Sequence, residues 1–146
     1  LAGVVMAAAI ALHNLPEGMV IGASYAADLA EAGEDGRMMA LVIGLHNIPE
    51  GMAVAVPLAA GGASRGRAVL TTAAAGAPTV LGAVLGFCLG TMGPGLQMLT
   101  LGGASGAMLY VVFGELLPES FRLCRSPAPV MAAVLGVLTG MGVVLG

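Results

Sequence analysis

Two short segments of this sequence share the pattern His-Asn-x-Pro-Glu-Gly-Met, and they contain both histidines of the chain. In each copy the histidine precedes the glutamate by four residues, as His13 with Glu17 and His46 with Glu50. Residues four apart lie on the same face of an α-helix, so each copy presents one imidazole and one carboxylate together. Both groups are ligands for borderline divalent metals, and each copy is therefore predicted to form half of a metal site.

The two copies form an internal repeat, in which His46 lies 33 residues after His13. Both copies lie in long apolar stretches, where an ionisable side chain costs roughly several kcal/mol unless it pairs or binds an ion. Consecutive membrane spans run in opposite directions, so an axis in the membrane plane can bring the two polar faces together at mid-depth. We call the four side chains, His13, Glu17, His46 and Glu50, the His/Glu cage. They suit four-coordinate zinc, while iron, manganese, cobalt and cadmium stay open. An ion-pair network that only joins two helices is the alternative.

Each copy also contains an asparagine and a proline. Pro16 and Pro49 lack an amide hydrogen, so they are predicted to bend or break their helices, as at the substrate sites of secondary transporters. The side-chain oxygens of Asn14 and Asn47 can complete the metal shell or bind a second, weaker ion. Alternatively, the two amides hydrogen-bond the carbonyl groups that the prolines release.

The composition predicts an integral membrane protein. Of the 146 residues, 58% are hydrophobic and 9% are charged, and the chain contains no tryptophan. This is too apolar for a soluble domain of this length. Because a membrane-spanning helix needs about 20 mainly apolar residues, we expect an all-α polytopic transmembrane helix bundle. Residues 1–146 are then one transmembrane domain, with five spans at about residues 3–27, 38–60, 68–92, 96–117 and 129–145.

The few charged residues indicate an orientation and exclude one class of partner. A net charge of −3 with five basic residues provides no Lys/Arg-rich face, so nucleic-acid binding is excluded. Arg65 and Arg67 lie in the second predicted loop, and Arg122 and Arg125 lie in the fourth. Since arginines in short loops mark the cytoplasmic side, these two loops are predicted to be cytoplasmic.

Glycines recur at a spacing that favours close helix packing in lipid. The repeats are Gly82-xxx-Gly86-xxx-Gly90, Gly102-xxx-Gly106 and Gly136-xxx-Gly140. Small residues four apart let helix backbones approach one another. The spacing supports packed helices and permits a homodimer, but it does not identify the partner helix.

The paired motifs, the stretch Ala53-Val54-Ala55-Val56-Pro57 and the segment Glu115-Leu116-Leu117-Pro118 resemble the ZIP (Zrt/Irt-like protein) family of divalent metal transporters. The resemblance covers essentially the whole chain. It implies an eight-helix fold in which this sequence supplies helices four to eight and the first three are absent. It further implies a main transport site at His13, Glu17, His46 and Glu50, a second metal position at Asn14 and Asn47, and an exit pathway at Glu115.

One position departs from the family pattern. Many relatives have a glutamate just before a proline in the sixth helix as a ligand of the second metal, and here Ala77 precedes Pro78. We therefore expect one tightly held ion rather than two. The Ala/Gly bias and short loops favour a bacterial inner (plasma) membrane.

These observations predict a carrier and not an enzyme. A divalent metal ion, most readily zinc, would be the transported substrate, and no cofactor is expected. The ion would pass through the cage into the cytoplasm by alternating access, and no nucleotide-binding motif suggests ATP-driven pumping. One alternative is an intramembrane metallohydrolase, since a His/Glu pair at this spacing is similar to the His-Glu-x-x-His motif of zinc enzymes. A helix-packing module without transport is the other.

Overall fold

The computed structural model of the chain describes residues 2–31 and 33–145, except for the side chains of residues 2, 3, 5, 6, 30, 115, 119, 123 and 143–145. Every regular element in this described part is helical, which confirms the all-α prediction. The helices are α1 (Ala2–Glu31), α2 (Asp35–Ala60), α3 (Arg65–Thr91), α4 (Pro94–Tyr110), α5 (Leu117–Leu123) and α6 (Ala128–Leu145), with a π-helical segment at Val111–Leu116.

Three stretches are long and apolar enough over their described residues to cross a membrane. They are Asp35–Ala60, Arg65–Thr91 and Pro94–Gly114, while Ala128–Gly142 is a shorter apolar helix. These helices confirm a polytopic helix bundle. The full set of five spans and the orientation deduced from the arginines stay predictions. The chain divides into two compact units, Leu1–Met108 and Leu109–Gly146.

In the first unit, α1 lies directly against α3 because glycines leave room for the α3 backbone. A Cβ atom added at Gly18 would overlap the carbonyl oxygen of Thr79, and one added at Gly22 would overlap that of Ala83. Gly18 and Gly22 are four residues apart, so α1 has a small-residue face of its own. This face of α1 was not predicted, although its four-residue spacing is present in the sequence.

The α3 glycines complete the same interface from the other side. A Cβ atom at Gly82 would overlap the carbonyl oxygen of Leu15, and one at Gly86 would overlap that of Met19. Contacts advance in the same direction along both helices, so α1 and α3 are parallel. The predicted close packing at this glycine repeat is confirmed. For the glycines of the other two repeats, an added Cβ would have no neighbour within 4 Å among the described residues.

A tight connection holds α2 antiparallel to α1. The Asp28 carboxylate near the end of α1 accepts hydrogen bonds from the backbone amides of Asp35 at 2.9 Å and Gly36 at 2.8 Å. It thereby satisfies two of the amide groups that begin α2, as a capping side chain does. Gly36 is buried against Tyr25, whose atoms lie 2.7–2.8 Å from the position of an added Cβ. This connection places the repeat on α2 beside the repeat on α1.

The second unit contains the π-helical segment. At its end the Leu117 amide donates to the carbonyl of Val112, five residues earlier. Pro118 follows immediately and has no amide hydrogen to continue the α-helical pattern. The wider turn is therefore a local adjustment beside the proline. Glu115 lies in this segment, but its side chain is outside the described residues, so its predicted place on an exit pathway stays a prediction.

We expect Gly86→Leu to destabilise the protein, because its side chain would enter the α1 backbone. Overpacking of this kind costs about 3 kcal/mol. The measurement is thermal unfolding of the purified full-length protein in detergent. Gly106→Leu is the matched control, since an added Cβ at Gly106 has no neighbour within 4 Å among the described residues. Equal melting temperatures for the two variants would contradict the α1–α3 packing.

Candidate metal site

The two repeat copies lie on α1 and α2, and both helices continue through their prolines. Pro16 lies inside Ala2–Glu31, and Pro49 lies inside Asp35–Ala60. Neither helix is interrupted at its proline, and the predicted bend stays a prediction. On either side of Pro16, Leu15 and Gly18 contact α3. The uninterrupted helices keep each histidine and its glutamate on one face.

The structure brings all four predicted cage residues together. One potential ligand atom from each of them lies within 4.8 Å of the other three. His13 Nε2 is 3.1 Å from Glu17 Oε1 and 3.5 Å from Glu50 Oε1. His46 Nε2 is 3.4 Å from Glu17 Oε1, so imidazole–carboxylate contacts cross between the helices in both directions. The imidazole rings meet edge to face, with centroids 6.4 Å apart.

These spacings suit a tetrahedral ion. Ligands about 2.1 Å from a tetrahedral zinc ion lie about 3.4 Å from one another. Three histidine–carboxylate separations in the cage, of 3.1, 3.4 and 3.5 Å, lie close to that value, and the whole donor set lies within 4.8 Å. Two carboxylates also supply the charge that neutralises a divalent ion where the surroundings are apolar. The donor set therefore fits zinc in its chemistry and in its proximity.

The four side chains of the cage differ in burial. The Glu17 side chain is fully buried, whereas that of His46 is 50% exposed in the described structure. His13 and Glu50 are intermediate, at 10% and 15% exposed. Glu17 is thus the innermost ligand, and His46 is the most exposed one.

Asn47 links the two carboxylates of the cage. With its amide nitrogen turned toward them, Asn47 donates to Glu17 Oε2 at 3.0 Å and to Glu50 Oε2 at 3.3 Å. Such bonds hold two like charges together while no cation lies between them. Rotation of the same amide by about 180° presents its oxygen instead, which is the atom that a metal ion requires.

Asn14 has a different role from its counterpart in the repeat. It is 2% exposed, and its amide nitrogen donates to the carbonyl of Ala75 on α3 at 2.9 Å. Ala75 lies three residues before Pro78, within the turn whose hydrogen bonding that proline disturbs. Asn14 therefore bonds the neighbouring helix and not a carbonyl released by Pro16. Its Oδ1 atom has no hydrogen-bond partner among the described residues.

A cavity of about 100 Å³ adjoins the cage between α1, α2 and α3. Its wall includes Asn14, Asn47 and Glu50 together with Thr72 from α3. Thr72 was not identified from the sequence, because it belongs to neither motif and lies twenty residues after the end of the second. Within the described part of the chain, the only group of His, Cys, Asp or Glu side chains close enough to hold a metal is the cage itself.

Comparison with known proteins identifies the class. The family model of the ZIP zinc transporters matches residues 1–146. The chain therefore belongs to the ZIP family and is part of an integral membrane protein. It is also similar to the zinc transporter GufA of Myxococcus xanthus, with 40% identity over 114 residues. The aligned region is 78% of this chain and 44% of the relative, so the chain spans less than half of the relative's length. No solved structure gives a significant match.

We expect zinc to stabilise the full-length protein through the cage. An ion at about 100 times its dissociation constant adds about 2.7 kcal/mol to the free energy of unfolding, provided that it binds only the folded state. Glu17→Gln and Glu50→Gln should each abolish most of this gain, since each removes a charged ligand. The measurement is the melting temperature with and without zinc.

Glu34→Gln provides the control for this experiment, because Glu34 is an exposed carboxylate that pairs with Arg37 outside the cage. It should retain the full zinc effect. A zinc-dependent shift that persists in both cage variants would show that the ion binds elsewhere.

Proposed function

We propose that the protein of which this chain is part carries divalent metal ions, zinc above all, across a membrane through the His/Glu cage. The observation that carries the proposal is the convergence of two imidazoles and two carboxylates from two antiparallel helices, with donor atoms within 4.8 Å of one another. Membership of the ZIP family and the similarity to a zinc transporter support it.

The mechanism that we propose for the cage is alternating access, in which an ion held by Glu17 and His46 is bound and released from one side of the membrane at a time. Alternating access requires that the opening change sides. Since glycine packing joins α1 to α3, these two helices would move as one body. We further propose that the net direction is into the cytoplasm and that the membrane is a bacterial inner membrane.

A second metal position at Asn14 and Asn47 is less well supported. The nitrogen of Asn14 is already committed to the Ala75 carbonyl, and Ala77 supplies no carboxylate next to Pro78. We therefore propose a single tightly bound ion. The metal would be a substrate and not a resident cofactor.

The hydrolytic alternative lacks a general base. In a zinc hydrolase of the His-Glu-x-x-His type, a glutamate that is not a ligand activates water. Here both glutamates belong to the cage, and no further His, Cys, Asp or Glu joins that group among the described residues. We propose that the protein is not an enzyme.

The third candidate is a packing module without transport. It does not explain why two carboxylates are placed in an apolar interior, where their burial costs free energy. A homodimer remains compatible with the glycine repeats.

The test is radioactive zinc uptake into cells that express the full-length protein. We expect Glu17→Gln and Glu50→Gln each to reduce uptake at least roughly 100-fold, since loss of one charged buried partner costs about 3 kcal/mol or more. Glu34→Gln should transport normally at equal surface expression. Uptake unchanged in both cage variants would return the paired motif to a structural role.

Competition by unlabelled ions tests the preference for zinc. The two imidazoles favour zinc, iron, cobalt and cadmium over magnesium and calcium, which prefer oxygen ligands. We expect the former group to inhibit labelled zinc uptake at low concentration and the latter two to have no effect at a hundredfold excess. Equal inhibition by calcium would contradict coordination by histidine.

A further inference from the structure

The cavity beside the cage has polar walls that the helix bundle leaves unsatisfied. Asn14 Oδ1 and Thr72 Oγ1 are buried, and neither has a hydrogen-bond partner among the described residues. Both residues line the cavity, and so does Glu50 of the cage. An unpaired buried polar atom costs free energy, so such atoms in native proteins are usually paired with protein or with ordered water.

The size of the cavity suits water. A single water molecule needs a cavity of at least about 15 Å³ and two to four polar partners. The cavity measures about 100 Å³, and it offers the oxygen atoms of Asn14, Thr72 and Glu50. Ile10 and the fully buried Val54 also line the cavity, so its wall is partly apolar.

We propose that this cavity is a hydration pocket, in which water bonded to Asn14 Oδ1 and Thr72 Oγ1 remains available as an additional oxygen ligand for an ion in the cage. Thr72 is then a specificity-determining residue of the transport site. The role of Thr72 in ion specificity rests on the proposed function. The presence of water in the pocket does not, because it can be measured without transport.

Charge favours water over a second divalent ion as the occupant. Glu50 is the one carboxylate in the cavity wall, and it is already a member of the cage. The other polar groups in that wall, from Asn14, Asn47 and Thr72, are neutral. A divalent ion placed there would lack a second compensating charge in apolar surroundings, whereas a water molecule requires none.

Water in the pocket would affect different ions to different extents. Zinc is satisfied by the four ligands of the cage, whereas manganese prefers six ligands that are mostly oxygen. Manganese therefore needs oxygen atoms that the cage does not contain. Loss of the Thr72 hydroxyl should weaken manganese binding while zinc binding changes little.

The first experiment compares ion binding by purified full-length variants in lipid nanodiscs. Thr72→Val, which keeps the shape but removes the hydroxyl, should weaken manganese binding roughly three- to tenfold, the range expected for one hydrogen bond. Zinc binding should change less than twofold, and Thr72→Ser should restore manganese binding. Thr79→Val is the matched control, because Thr79 Oγ1 is also buried without a partner among the described residues but does not line this cavity.

The second experiment detects the water directly by hydroxyl-radical labelling of the same protein. Val54 has no exposed surface, so its modification requires water inside the bundle. We expect labelling of Val54 in the wild type and its loss in Thr72→Val. An unlabelled Val54 in the wild type would overturn the proposal. Equal loss of manganese and zinc binding in Thr72→Val would also overturn it, as would two tightly bound zinc ions per chain. Loss of zinc binding in Glu17→Gln tests the proposed function separately.

Discussion

A carboxylate in an apolar interior must be compensated by nearby charge or hydrogen bonds, and Glu17 is the point where this constraint is most severe. Its side chain is fully buried, and the idealised cost of moving such an ion out of water is on the order of 20 kcal/mol. Three groups from two helices compensate it: His13 at 3.1 Å, His46 at 3.4 Å and the Asn47 amide at 3.0 Å. The arrangement of α1 and α2 is what allows these groups to meet.

Two features hold that arrangement, and neither belongs to the cage. Glycines on α1 and α3 remove the side chains that would separate the two backbones, so α1 has a fixed position on α3. Asp28 then caps the first turn of α2 from the end of α1, which fixes where α2 begins. With the connection fixed at one end, antiparallel helices of regular rise bring His46 to the depth of Glu17 and Glu50 to the depth of His13. The site is thus positioned by packing and capping outside it.

The sequence repeat becomes asymmetric in the structure because α3 packs closely against the first copy. Asn14 bonds α3, whereas Asn47 faces the two carboxylates. His13 is 10% exposed and His46 is 50% exposed, although the motifs around them are nearly the same. Two nearly identical half-sites therefore contribute one largely buried and one exposed histidine to the cage.

The residues of the cage, the helical fold and the membrane class followed from the sequence, because helical periodicity and hydrophobicity are local properties. A four-residue spacing places His13 and Glu17 on one face whatever surrounds the helix. The helices continue through Pro16 and Pro49, so the prolines do not interrupt them, which a local proline signal cannot determine. The sequence alone also left two roles open for the Asn14 side chain, namely coordination of a metal ion and a hydrogen bond to a carbonyl released by a proline.

Only the tertiary structure decided the contacts between helices. Asn14 bonds Ala75, which is 61 residues away, and Thr72 joins a cavity whose other walls come from α1 and α2. No local pattern encodes these pairs, because they depend on which glycine face meets which backbone and on where the helices begin. The sequence by itself determined which ligands each helix presents. The packing of α1 between α2 and α3 determined their distances, their burial and the space beside them.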